Sequence, residues 1–283
     1  MTPQDLGGAL SAPLSTTGRI SIPYRDPFNP ERPLVLECYR PASHAADGPV
    51  VIVQHGQSRN GREYCDAWIP VADRAGLLVV AITFPKEFWP DALTYNNGHV
   101  LDAEGAVRPR EQWSQAIPGR FFTLLREAGV TRRTSFHLWG HSAGGQFVHR
   151  LLATQPHETL AAVGAANPGW YTLPTLVLPY PDGYGGIGLA RDDIARLLTY
   201  PLVIFAGDRD VDGTTENFPR HEAAMAQGPH RFARAHFFLE RGRAEAAKLG
   251  VTCNWRLVMV PGVGHEGMKM GAFAAEHWFA SER

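Results

Sequence analysis

Seven short apolar runs, rich in β-branched residues, recur along this chain, most of them separated by longer segments with apolar residues at helical spacing. That alternation restricts the fold more than any other feature. Strands buried on both faces read as continuous apolar runs, and parallel neighbours need a long crossover between them, usually a helix. The runs Pro33–Tyr39, Val50–Gln54, Leu78–Thr83, Phe136–Trp139, Ala161–Ala165, Leu202–Ala206 and Trp255–Val260 predict the strands, with Ile20–Tyr24 as an antiparallel edge. Helices are expected at Glu63–Ala75, Glu111–Glu127, Gly145–Thr154, Asp192–Leu198, His221–Leu249 and Met268–Ala280. Pro118-Gly119 and Gly228-Pro229 should kink or split the second and fifth of these. The pattern predicts an α/β fold in one domain over residues 1–283, a mostly parallel sheet with helices on both faces. Residues 1–17 are expected to form an extended lead segment.

Composition narrows the function classes. A formal charge of −1, with Lys and Arg scattered, marks no nucleic-acid or anionic-membrane surface. Cys38, Cys65 and Cys253 are too few for a disulfide framework and form no C-x-x-C pair, so free thiols and no metal are expected. No apolar run approaches the roughly 20 residues of a membrane span. Met1 to Leu14 lacks the charged start and apolar block of a signal peptide, so the expectation is a soluble, cytoplasmic protein. Oligomeric state is left open.

Chemistry concentrates where the run Phe136-His137-Leu138-Trp139 meets Gly140-His141-Ser142-Ala143-Gly144 and a helical segment follows. A serine on such a strand-to-helix turn has its hydroxyl pushed into solvent, and glycines flank it because the turn leaves no room for side chains. A serine hydroxyl is a weak nucleophile at neutral pH. It needs an imidazole to take its proton and a carboxylate to orient the imidazole. The run Leu202–Ala206 releases the chain into Gly207-Asp208-Arg209-Asp210-Val211-Asp212, three candidate acids at the carboxyl end of a strand. Asp208 could close that turn and Asp212 could cap the next segment. The last strand runs into Pro261-Gly262-Val263-Gly264-His265, which sets His265 on a glycine-flanked loop after the acids. Val51 to Gln57 ends another strand in His55-Gly56, where His55 is expected to shape the loop. Ser58, Arg59 and Asn60 follow, each able to touch a substrate or form the turn.

With these motifs in order, the chain resembles the α/β-hydrolase superfamily from about Gly18 to the C-terminus. The stretch Val50 to Pro85, with His55-Gly56, Asn60, Tyr64, Trp68, Ala75-Gly76 and Phe84-Pro85, is similar to its esterase and polyhydroxybutyrate-depolymerase-like branch. The resemblance implies the α/β-hydrolase fold, with loop insertions over the active site, and hydrolysis of carboxylic esters through an acyl-enzyme without cofactor. It selects Asp210 as the acid by its glycine-x-x-aspartate spacing, and implies Ser142, Asp210 and His265 as the catalytic residues. The backbone N–H groups of Gln57 and Ala143 would form the oxyanion hole. Thioester, peptide or acyl-transfer chemistry could use the same residues, and a non-catalytic binding protein is the rival from another class. Export signals and binding modules, frequent in secreted members of that branch, are not visible, so a small soluble ester is the expected partner rather than a polymer. The long loops Pro85–Arg110 and Asn167–Leu189 are expected to wall the pocket. Gln57, Trp89, Tyr95, His141, Trp170 and Tyr171 are the candidate substrate contacts, a set suited to an apolar or planar group.

Overall fold

The apolar runs line up as one eight-stranded sheet in the computed structural model, which describes residues 12–280. In chain order the strands are β1 (Gly18–Tyr24), β2 (Leu34–Arg40), β3 (Val50–Gln54), β4 (Leu78–Thr83), β5 (Phe136–His141), β6 (Leu160–Ala166), β7 (Val203–Gly207) and β8 (Arg256–Val260). In space they run β1-β2-β4-β3-β5-β6-β7-β8. From β4 through β3 to β8 every pairing is parallel. β2 pairs antiparallel with both β1 and β4, so β2 alone runs against the rest; the edge strand β1 pairs antiparallel with its neighbour, as expected, but points the same way as the other strands. Residues 25–33 are too short a connection for a parallel crossover, which forces β1 and β2 into antiparallel pairing.

The crossovers carry α1 (Gly61–Asp66), α2 (Ile69–Ala75), α3 (Ile117–Glu127), α4 (Ala143–Thr154), α5 (Arg191–Thr199), α6 (Glu222–Met225) and α7 (Arg231–Leu249), and α8 (Gly267–Phe279) follows β8. The helix expected at Glu63–Ala75 is two helices, because Pro70 in the first turn of α2 cannot continue α1. Pro118 opens α3 rather than kinking it, and two 3₁₀ turns, Arg110–Gln112 and Ser114–Ala116, precede it. Gly228-Pro229 separates α6 from α7, as its residues predict. Of the expected extended lead segment, residues 1–11 lie outside the described residues and 12–14 are helical.

Side chains alternate between two apolar cores. Val51 and Val53 face one with Trp68, Val71, Met270 and Phe279, while Val50 and Ile52 face the other with Phe121, Phe147, Leu197 and Phe238. All five residues of β3 are buried, which is why this strand reads as an unbroken apolar run. α4 is buried along its whole length, its polar Gln146, His149 and Arg150 included, and presents no solvent face. Because β3, β5, β6, β7 and β8 are parallel, the segments that leave Gln54, His141, Ala166, Gly207 and Val260 emerge at one sheet edge. No helix among the described residues is long and apolar enough to cross a membrane.

Candidate active site

Ser142 stands between β5 and α4 with φ 56° and ψ −114°, outside the ordinary regions for a residue with a side chain. Such a conformation costs on the order of 1–3 kcal/mol and persists only where the surroundings enforce it. The flanking glycines show how it is enforced. A Cβ on Gly140 would lie 2.3 Å from the Gly144 carbonyl oxygen, and one on Gly144 would lie 2.2 Å from that of Gln54. The Ser142 N–H donates to the Ala166 carbonyl at 2.9 Å, which fastens the turn to the end of β6.

The acid and histidine loops converge on this serine. His265 Nε2 lies 3.0 Å from Ser142 Oγ, and His265 Nδ1 lies 2.7 Å from Asp210 Oδ2. With Nδ1–H donating to the carboxylate, Nε2 is free to accept the serine hydroxyl. Asp210 is buried, and its other oxygen lies 3.4 Å from Arg231 Nη1. The other two aspartates take the turn-forming roles: Asp208 accepts the Gly262 N–H at 2.7 Å, and Asp212 accepts the N–H and hydroxyl of Thr214.

The structure also supplies a residue that the sequence reading passed over. Asn167 leaves β6 with φ 41°, accepts the Gly207 N–H through Oδ1 at 2.9 Å, and donates through Nδ2 to the Gly264 carbonyl at 3.0 Å. One amide therefore joins the start of the acid loop to the residue before His265. Nothing in the local sequence marks it, because its two partners lie 40 and 97 positions away.

His55-Gly56 lies beside the serine: a Cβ on Gly56 would sit 3.7 Å from that of Ser142. His55 accepts the Phe84 N–H at Nε2, so its Nδ1 carries the proton and donates to the Gly56 carbonyl at 2.8 Å. Burial, with Arg59 nearby, pushes its pKa down to about 3, which fits a neutral brace for the loop. Gln57 and Ala143 both line the cleft that contains Ser142, and α4 points its N-terminus at it.

That cleft measures about 310 Å³, and its wall is polar where an aromatic one was expected. Gln57, Arg59, Lys86, Asn96, Gln146 and Arg231 line it, and Trp170 is the aromatic candidate that joins them. Trp89, Tyr95 and Tyr171 are core residues instead. Trp89 and Tyr95 pack on Phe84, Tyr95 donates from its hydroxyl to the His55 carbonyl at 2.7 Å, and Tyr171 stacks on Phe238 at 4.2 Å. A loop of twenty or more residues has to bury apolar side chains of its own to hold a shape, and these three do so. His141 is also buried, beneath His265 at 4.6 Å between rings and 2.8 Å from the Tyr64 hydroxyl. Burial holds its pKa well below the usual histidine value, so it backs the His265 ring as a neutral group.

A larger groove of about 600 Å³ begins near Phe136 and Leu160, the opposite ends of β5 and β6 from Ser142. Open α/β sheets bind ligands at the carboxyl ends of their strands, which favours the smaller cleft. Among the described residues no group of three or more His, Cys, Asp or Glu side chains could hold a metal ion.

No protein-family model and no curated protein matches the chain. Solved structures do. The chain is 46% identical to a poly(3-hydroxybutyrate) depolymerase from Bordetella parapertussis, over 100% of this chain and 96% of that one, with a TM-score of 0.95. It is 34% identical to a poly(aspartic acid) hydrolase from Sphingomonas sp. KT-1, over 92% and 98%, with a TM-score of 0.87. An S-formylglutathione hydrolase from Agrobacterium tumefaciens shares the fold at 18% identity, over 94% and 96%, with a TM-score of 0.60. The fold is thus that of the α/β hydrolases, a mostly parallel eight-stranded sheet with flanking helices. Within that class, the chain belongs to the esterase and depolymerase-like serine hydrolase family, beside the polyhydroxybutyrate depolymerase.

Proposed function

We propose that the chain cleaves a carboxylic ester of a small, soluble substrate through an acyl-enzyme on Ser142. The 3.0 Å approach of His265 Nε2 to a strained, solvent-facing serine hydroxyl is the observation that carries this reading. Ser142 attacks the ester carbonyl as His265 takes its proton, and Asp210 stabilises the imidazolium that forms. The N–H groups of Gln57 and Ala143 hold the developing oxyanion, helped by the positive end of the α4 dipole. The tetrahedral intermediate collapses, His265 protonates the leaving alcohol, and water repeats the sequence to free the acid.

The relative from Bordetella, by its description a depolymerase of a polyester, supports an ester as the scissile group. The relative from Sphingomonas is described as a hydrolase of poly(aspartic acid), a polyamide, and amide cleavage on the same residues is the second reading that this likeness favours. Initial rates on p-nitrophenyl acetate test the first. Wild type should turn it over, and Ser142→Ala should lose at least 10³-fold in kcat, in line with the loss of a catalytic nucleophile. A Ser142→Ala protein that keeps the wild-type rate would remove the assignment.

A further inference from the structure

The cleft beside Ser142 carries a small excess of cationic side chains. Arg59, Lys86 and Arg231 line it, against two lining or adjoining carboxylates, Asp91 and Asp210, in a chain whose formal charge is −1. Both carboxylates are engaged: Asp210 Oδ2 meets His265 and its Oδ1 pairs with Arg231 at 3.4 Å, and Asp91 Oδ1 accepts the Thr94 N–H and hydroxyl.

Two further guanidinium groups stand directly behind the wall and are bonded to neutral groups. Buried Arg150 donates to Thr172, Asn97, the Asn96 carbonyl and the cleft residue Gln146, and lies 4.7 Å from the Trp170 ring. Buried Arg234 donates to the carbonyls of Gly169, Pro219 and Gly228, the first two on the cleft wall. Taking a cation out of water without a paired anion is expensive, and a fold that keeps several around one cavity holds a positive potential there in advance of any ligand.

Arg59 is the group best placed to use it. It follows Gln57 in the same loop and adopts φ 62°, a conformation that is strained for a residue with a side chain. Its Nη2 donates to the carbonyls of Trp89 and Asp91 at 3.0 and 3.3 Å, and the guanidinium lies 4.0 Å over the Tyr95 ring. Nε and Nη1 are buried and have no hydrogen-bond partner among the described residues. What Arg59 offers the cleft is its permanent charge.

We propose that the substrate carries a free carboxylate close to its scissile ester, drawn in by the charges of Arg59 and Lys86 on the cleft wall, with buried Arg150 and Arg234 behind them. The reacting bond is unchanged. This inference rests on the proposed hydrolase reading and specifies the substrate class within it.

Two matched probe pairs test the charge on either side of the bond: p-nitrophenyl hydrogen glutarate against p-nitrophenyl valerate, and 4-acetoxybenzoate against its methyl ester. In wild type, kcat/KM for the charged member of at least one pair should exceed that of the neutral one by about tenfold or more. The preference should shrink as salt rises, since screening weakens steering. Arg59→Gln should reduce this ratio at least tenfold, and Lys86→Gln, at an exposed position that tolerates change, should reduce it a few-fold. A wild type with no charge preference in either pair, or a ratio that neither variant moves, overturns the proposal. If a fluorophosphonate still labels Ser142 in that protein, only the carboxylate inference has failed. If wild type neither labels nor turns over any probe, the hydrolase reading has failed and this inference with it.

Discussion

At the residue scale, Ser142 is defined by what surrounds it more than by its own chemistry. Its backbone strain is held by contacts that permit no Cβ at Gly140 or Gly144, so the motif is legible in sequence because sterics demand those glycines. That Asp210 is the aspartate beside His265 matches the order and spacing of the motifs, and its neighbours have separate employment in the Gly262 and Thr214 bonds. Asp210→Asn keeps the shape but favours the wrong tautomer of His265, and kcat on p-nitrophenyl acetate should fall by about 10⁴, the loss seen when a serine protease triad is changed this way. A fall of less than tenfold would mean that another group orients the imidazole. The aromatic residues were the least legible. A tryptophan or tyrosine in a long loop looks the same in sequence whether it lines a pocket or fills the loop's own core, and Trp89, Tyr95 and Tyr171 do the latter.

Elements were readable where hydrophobic period and length agreed, as in β3, β4 and α4, and less so where a connection decided the outcome. The antiparallel run of β2 follows from a short link, and the break between α1 and α2 from Pro70, neither of which alters the apolar pattern. Asn167 belongs to this scale because it couples three elements, the ends of β6 and β7 and the loop after β8. Asn167→Ala removes both bonds and leaves the Gly207 N–H and Gly264 carbonyl to find other partners. We expect kcat to fall by about 10- to 100-fold with KM within a factor of three, since the amide bonds to Gly207 and Gly264, neither of which lines the cleft, and acts by holding His265 in register with Ser142. An equal rise in KM with unchanged kcat would place its role in binding.

For the whole molecule, the parallel sheet gathers five strand ends at one edge, and the residues that the order of motifs singled out meet there. The same compactness buries histidines in their neutral form. Burial lowers His55 to about 3 and His99 to about 4, with nearby arginines adding to the effect, and holds His141 and His149 well below the ordinary value. In the unfolded chain these groups bind protons near pH 6.5. Their contribution to stability is therefore complete above that pH and is lost as pH falls toward 4, by up to about 1.4 kcal/mol per pH unit for each histidine. Thermal unfolding should show a level Tm between pH 7 and 8 and a steep decline from 6.5 to 4.5; a Tm unchanged over the lower range would mean that these side chains protonate without cost. The central claim, that Ser142 is the nucleophile of a serine hydrolase, is tested most directly by peptide mass spectrometry after treatment with a fluorophosphonate. The account predicts one adduct, on the peptide that contains Ser142, absent from Ser142→Ala. An active wild-type protein that stays unmodified, or is modified only at another residue, would contradict it.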